Sequence, residues 1–429
     1  MAAPPSQTSS PSLPVRRGRS PLLPIFLIVL VDVLGFTIIL PLLPFFSERL
    51  GATPTEVGAL VSTYAACQLI AGPILGQISD RIGRKPVLLI SQLGTLTGFL
   101  LMAFSQSLWV LFVARAIDGA TAGNLTIAQA YISDVTRPEK RAHSFALIGI
   151  AFGFGFLVGP AVSGFLAHFG YQAPILAASC LSFTAFLCTL LLLPRHVQRV
   201  ELDEDTAADP GPGGRRLSLI SWGEYRRFFR DRELARLLIQ WLLFSFSFST
   251  YIAGFALFAE RRYQWNGHPV GVREVGYIFA FNGFLGIIMQ GGGVGRLVKW
   301  LGERRVVQIG FIASFFGSAA TGFTHTIGQL LWVNGFASVF GAGLRPALTS
   351  LITQRAGKRE QGVILGLTQS LMSIAQITAP VLAGFLINAS DRFHDPRFLV
   401  IWAEWAGLLA ACALFFQPRS QRTNPAAAL

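Results

Sequence analysis

The sequence predicts an all-α membrane protein with twelve transmembrane helices in two pseudo-symmetric six-helix bundles. Three observations predict it. Only 13% of the 429 residues are charged and 52% are hydrophobic, with a mean hydropathy of +0.53, whereas a soluble chain of this size carries about 25% charged residues. Twelve apolar runs follow one another with little polar sequence between them, each near the ~20 residues that one helical crossing requires. One long polar segment separates the sixth run from the seventh.

In chain order, residues 1–20 combine Pro, Ser and Arg without an apolar stretch ending in a small-residue cleavage site, and read as a disordered tail. The first half, 21–194, holds runs near 24–46, 57–79, 86–106, 108–133, 143–166 and 171–193. The second half, 234–417, holds runs near 234–259, 274–295, 305–323, 327–352, 361–388 and 397–416, with a tail over 418–429. No run alternates with a period of two, so helices follow and not a barrel. Between the halves, residues 195–233 read as a cytoplasmic linker. Its acidic, Pro/Gly-rich middle suits flexibility, and "LISWGEYRRFF" suits a helix lying on the inner leaflet.

Orientation follows from the bases, because Lys and Arg near span ends are retained in the cytoplasm. They gather at Arg16 to Arg19, Arg81 to Lys85, Arg137 to Arg141, the linker, Arg296 to Arg305, Arg355 to Arg359, and Arg419 and Arg422. Both termini are therefore expected on the cytoplasmic side of the cell (inner or plasma) membrane. The same bases account for the net charge of +13, which leaves no basic face for nucleic acid and instead meets anionic lipid headgroups. All four cysteines lie within runs and read as small apolar residues. The histidines fall in or near loops, so no metal site emerges. No Gly-rich loop with Lys and Ser/Thr follows a strand, so no nucleotide, cofactor or enzymatic activity is expected. The expected partners are a small-molecule substrate, protons and membrane lipids, and the expected state is a monomer.

A charge at a span centre costs at least about 2.5 to 3.5 kcal/mol, so the few inside the runs require a reason. Asp32 lies in the first run without a base in its own span; Arg115 and Asp118 lie three residues apart on one face of the fourth. Asp32 then reads as the protonatable group. Arg115 and Asp118 read either as a pair that protonation or substrate opens, or as a satisfied structural pair. Glu404, between Trp402 and Trp405, suits a cationic amphiphile or sits near the outer rim. Gln68, Asn124, Asn282 and Gln369 are cavity candidates, with interhelical hydrogen bonding as the alternative.

"GQISDRIGRKP", after the second run, and "GGGVGRLVKWLGERRV", after the eighth, echo each other: Gly-led, then basic, then Gly followed by paired bases. Such a repeat implies two bundles about a midplane site. The first stretch resembles the loop between the second and third spans of the major facilitator superfamily, matching at Gly76, Asp80, Arg81, Gly83, Arg84 and Lys85. The resemblance implies that Asp80 caps the eleventh span in the outward-facing state. It also implies that Arg84 pairs with an acid at the inner end of the fourth span, here Asp134, with Arg141 close behind: a latch that breaks as the bundles rock. "FGFGFLVGPAVSGFL" resembles the antiporter signature at Gly155, Gly159, Pro160 and Gly164, with Ser163 where a glycine is usual. Close helix packing is an equal reading of those glycines.

Over the whole chain the resemblance is to the drug:proton antiporter branch of that superfamily, and to tetracycline-resistance type exporters within it. Acids that those exporters place in the third and ninth spans are missing here, as is a histidine in the eighth. The resemblance implies proton-coupled efflux of small amphiphilic compounds or drugs. The alternatives are proton-coupled uptake of a small metabolite and a non-transporting receptor on the same fold.

Overall fold

The computed structural model describes residues 22–136, 138–193, 227–356 and 361–416. The predicted tails and nearly all of the linker, including its interfacial stretch up to Arg226, lie outside the described residues, as does the Arg141 side chain. The first half comprises α1 (Leu22–Arg49), α2 (Pro54–Ile82), α3 (Arg84–Ala103), α4 (Leu108–Ala120), α5 (Asn124–Val135), α6 (Pro138–Leu166) and α7 (Gln172–Leu192). The second comprises α8 (Arg232–Arg262), α9 (Val272–Ile288), α10 (Val294–Leu301), α11 (Glu303–Phe323), α12 (Ile327–Gly341), α13 (Leu344–Ala356), α14 (Gln361–Phe393) and α15 (Arg397–Phe415). A short hairpin, β1 (Gln264–Trp265) and β2 (His268–Pro269), joins α8 to α9.

Among the described residues, eleven helical stretches are long and apolar enough to cross a membrane. The fourth predicted span is not among them. It reads as one run, but Thr121 to Gly123 break it into α4 and α5, of 13 and 12 residues, each too short alone. The second half repeats the break, since Ala342 and Gly343 separate α12 from α13. The eighth span also bends, through a π segment at Met289–Gly293 containing three consecutive glycines, a usual cause of a kink.

Capping sets the ends. Thr53 accepts from the Glu56 amide while the Glu56 carboxylate accepts from the Thr53 amide, opening α2, and Thr326 with Gln329 opens α12 in the same way. The loop echo in the sequence is a structural echo: Gly83 (φ +100°) and Gly302 (φ +77°) each close one helix and open the next. Only glycine adopts that conformation without a side-chain penalty.

One apolar core spans both halves at the end where α1 stops. There Leu42, Phe45 and Phe46 of α1 join Phe255 and Phe258 of α8 and Trp402 of α15. At the other end the core divides, one part around Ile28, Leu88 and Tyr131 of the first half and the other around Trp241, Phe311 and Leu348 of the second. The bundles are thus joined at one end and separate at the other.

Close helix approaches run the same way. A side-chain carbon at Gly58 of α2 would overlap the Pro380 carbonyl of α14, and one at Gly384 would overlap the Pro54 carbonyl. On the other seam, α6 meets α9 tightly where Gly276 lies against the Pro160 carbonyl at 2.5 Å, loosens to 3.6 Å between Gly153 and Ile287, and at Gly149 has no neighbour within 4 Å. Each distance is measured from the position a Cβ would take. The cleft therefore widens steadily toward the Gly83 and Gly302 end.

Candidate functional site

The charged residues predicted within the first half assemble around one another. Arg115 of α4 donates to the Asp118 carboxylate at 3.0 Å, both side chains buried, and its guanidinium lies 4.3 Å over the Tyr64 ring of α2. The Gln68 amide donates to the Tyr64 hydroxyl at 3.2 Å. Small residues make room: a Cβ at Gly98 of α3 would stand 3.0 Å from the Asp118 Cβ, and one at Gly119 would stand 2.5 Å from the Tyr64 carbonyl oxygen. Guanidinium, carboxylate and ring thus neutralise each other where water is scarce.

Asp32 of α1 stands beside this assembly, close enough for its charge and that of Asp118 to repel, with the Asn124 side chain of α5 facing it. Both Asp32 carboxylate oxygens are shielded from solvent without a completed hydrogen bond. A buried ionised carboxylate without partners is far costlier than a neutral one, and the neighbouring Asp118 charge adds to that cost. The site therefore offers one carboxylate satisfied by a cation and one that is not.

The glycines of α6 seat α1 against this site. The Thr37 hydroxyl donates to the Gly155 carbonyl at 2.9 Å. A Cβ at Gly155 would meet Val33 at 2.5 Å, and one at Gly159 would overlap the Thr37 hydroxyl. Pro160, next in the chain, and Gly164, a turn further on, instead pack across the seam on Gly276 and Arg273 of α9. The signature residues accordingly divide between packing within the first bundle and packing between bundles.

At the open end, the Arg84 guanidinium pairs with Asp134 of α5 at 2.9 Å and with Asp80 at 2.6 Å, and donates to the Ser79 hydroxyl at 2.7 Å. Lys85 donates to the Leu190 and Leu193 carbonyls at 2.7 and 2.5 Å, at the last turn of α7, a favourable place for a cation. Gly76 faces Thr126 of α5, and Arg81 is exposed. All these described partners belong to the first bundle.

The other cavity candidates separate. Asn282 of α9 accepts from Ser338 of α12 at 3.4 Å, a bond within the second bundle, and Gln369 of α14 is exposed. Glu404 does not face the cleft. It is exposed on α15, near Ile401 and Leu408 on the helix surface, and α15 packs on α8, α11 and α14 of its own bundle. The two tryptophans beside it divide, Trp402 facing inward and Trp405 outward.

Sequence reasoning missed Tyr64, whose signal was its spacing of four residues before Gln68. It also missed the charge cluster at the closed end. Arg261 of α8 donates to Glu48 of α1 at 2.7 Å and to Asp391 of α14 at 2.8 Å, with Glu260 at 3.5 Å. Arg262 donates to the Thr324 carbonyl at 3.0 Å, at the end of α11.

Comparison with known proteins agrees with this architecture. The family model described as Major Facilitator Superfamily matches residues 25–307 and 293–428. The class E tetracycline resistance protein of Escherichia coli is 31% identical over 395 residues, covering 90% of this chain and 91% of its own. Multidrug resistance protein 2 of Bacillus subtilis (strain 168) is 26% identical over 384 residues, covering 86% and 90%. Among solved structures, a variant of the nucleoside transporter NupG superposes with a TM-score of 0.73 at 15% identity, covering 92% of this chain and 100% of that one. The human organic anion transporter MFSD10 superposes with a TM-score of 0.66 at 22% identity, covering 93% and 100%. By family model, relatives and fold alike, the chain is a multi-pass membrane transporter that belongs to the Major Facilitator Superfamily.

Proposed function

We propose that the chain exports small amphiphilic compounds in exchange for protons, by alternating exposure of one site between its bundles. The observation that carries this reading is the Asp32 carboxylate, shielded from solvent and without a paired cation among the described residues, beside the neutralised Arg115–Asp118 pair. Asp32 holds the proton, and Arg115, Asp118 and Tyr64 form the polar wall that responds when a compound displaces it. The resistance and efflux relatives support export over uptake. The basic segments support an inside location for both termini, which makes the open end cytoplasmic and this conformation inward-facing. The Arg84–Asp134–Asp80 group then holds the inner rim of the first bundle while the cleft is open. The polar linker supports division into bundles over 21–194 and 234–417.

The energy suffices. A proton crossing about 100 mV yields roughly 2.3 kcal/mol and one pH unit about 1.4 kcal/mol. Together these sustain a concentration ratio of several hundred. The test uses inverted membrane vesicles with an imposed inside-acid gradient, a panel of drugs, and the wild type against Asp32→Asn. Drug-triggered proton release in the wild type alone is expected; equal release from Asp32→Asn, or silence across the panel with verified protein, overturns the reading.

A further inference from the structure

The second bundle carries a cation that the assembly around Asp32 does not use. Arg345 stands in the first turn of α13, just past the break at Ala342 and Gly343. Leu344, Ala347 and Leu348 around it fill the second-bundle core, but the Arg345 side chain is exposed and its guanidinium reaches only the Met372 sulfur of α14, at 4.0 Å. Among the described residues no carboxylate pairs with it or acts on its charge. The acid at the start of α11, Glu303, is taken by Ser350 and Gln354.

Arg345 reaches toward α14, a helix at the seam between the bundles. This helix packs onto α2 of the first bundle at the closed end, through Gly384 and Pro380, and at Gly366 in its other half it has no neighbour within 4 Å. Gln369, one turn from Met372, is exposed on the same stretch. Arg345 lies roughly 15 Å from the open end of its span at 1.5 Å per residue, as Asp32 does in α1. A guanidinium at that depth needs a partner or water, and its planar fork matches a carboxylate or comparable oxyanion in two parallel hydrogen bonds.

We propose that Arg345 is the second-bundle contact for an anionic group of the transported compound. Resting on the export reading above, the inference sharpens its substrate class to zwitterionic amphiphiles. Their cationic part lies toward Asp32 and their carboxylate or other oxyanion toward Arg345, so that one molecule bridges the two bundles. A compound carrying only a cation gains the first contact and forgoes the second.

A matched pair of dyes tests this without any gradient. Rhodamine 19 carries a free carboxylate on a cationic ring system, and rhodamine 6G is its ethyl ester. Binding of each to purified full-length protein is read by fluorescence polarisation for the wild type, Arg345→Gln and Arg345→Lys. Wild type is expected to prefer rhodamine 19 by at least about tenfold, the scale of one charge-assisted contact. Arg345→Gln is expected to lose that preference while still binding rhodamine 6G, and Arg345→Lys to keep part of it. A flat ratio in the wild type, an unchanged ratio in Arg345→Gln, or no binding of rhodamine 19 overturns the proposal. Vesicles that pump while the ratio stays flat sink this inference alone. A ratio that behaves as expected in a protein that does not pump sinks the export reading and leaves the anion site standing.

Discussion

Arg261 and Glu48, 213 residues apart in the chain, meet at 2.7 Å and tie the second bundle to the first at the end where the cleft is closed. Asp391 accepts from Nε of the same guanidinium at 2.9 Å and shares its Nη2 with Glu48 at 2.8 Å, so the cation stays satisfied in its own bundle when Glu48 leaves. The contact therefore can open without stranding the guanidinium. Breaking it should shift the balance between closed and open without unfolding either bundle.

Glu48→Gln should loosen the closed end. The side chains are partly exposed, so the pair is worth about 1 kcal/mol or less, or up to roughly fivefold in population. With the native cysteines replaced, a cysteine at the buried Ala52 position should react several-fold faster with a water-soluble maleimide in the Glu48→Gln background. An unchanged rate would show that apolar packing alone holds this end.

Gly58 and Gly384 should be intolerant of size. Each sits against a carbonyl of the opposing bundle, and no flexible side chain is there to yield. Gly58→Val should force α2 and α14 apart at a cost of about 1 to 3 kcal/mol. Transport should fall steeply while the protein still reaches the membrane, and the maleimide assay at position 52 should again report faster labelling. Full activity in Gly58→Val would contradict the close approach.

The open-end group gives a double-mutant test. Arg84→Ala leaves the partly buried Asp134 without its cation and should lower the melting temperature of purified protein by a few degrees. Asp134→Asn should cost less, because Asp80 still pairs with Arg84. If Arg84 and Asp134 act as one unit, the double variant should be little worse than Arg84→Ala. Simple addition of the two losses would mean that they act independently.

How much of this was legible in the sequence depends on how local each signal is. Hydropathy is local, so the runs fell where helices lie, and buried polar residues such as Asp32, Asn124, Arg115 and Asp118 stood out against them. The loop echo was legible because Gly83 and Gly302 fill the same backbone role. The splits in the fourth and tenth spans were not, since Thr121 to Gly123 and Ala342 to Gly343 interrupt the helix without interrupting the hydropathy. Glu404 shows a related limit: an acid between two tryptophans does not reveal which way its face turns, and in α15 it is exposed on the helix surface with Trp405 while Trp402 turns inward. Arg261 carries no local signal, because its partners lie in α1 and α14, far off in the chain.

In the proposed mechanism the proton sits on Asp32 and leaves when a compound binds. The most direct measurement adds rhodamine 6G to purified protein in weakly buffered detergent and records proton release for the wild type, Asp32→Asn and Asp118→Asn. Release from the wild type, retained in Asp118→Asn and abolished in Asp32→Asn, is the predicted result. Equal release from Asp32→Asn, or binding without release from the wild type, would contradict it.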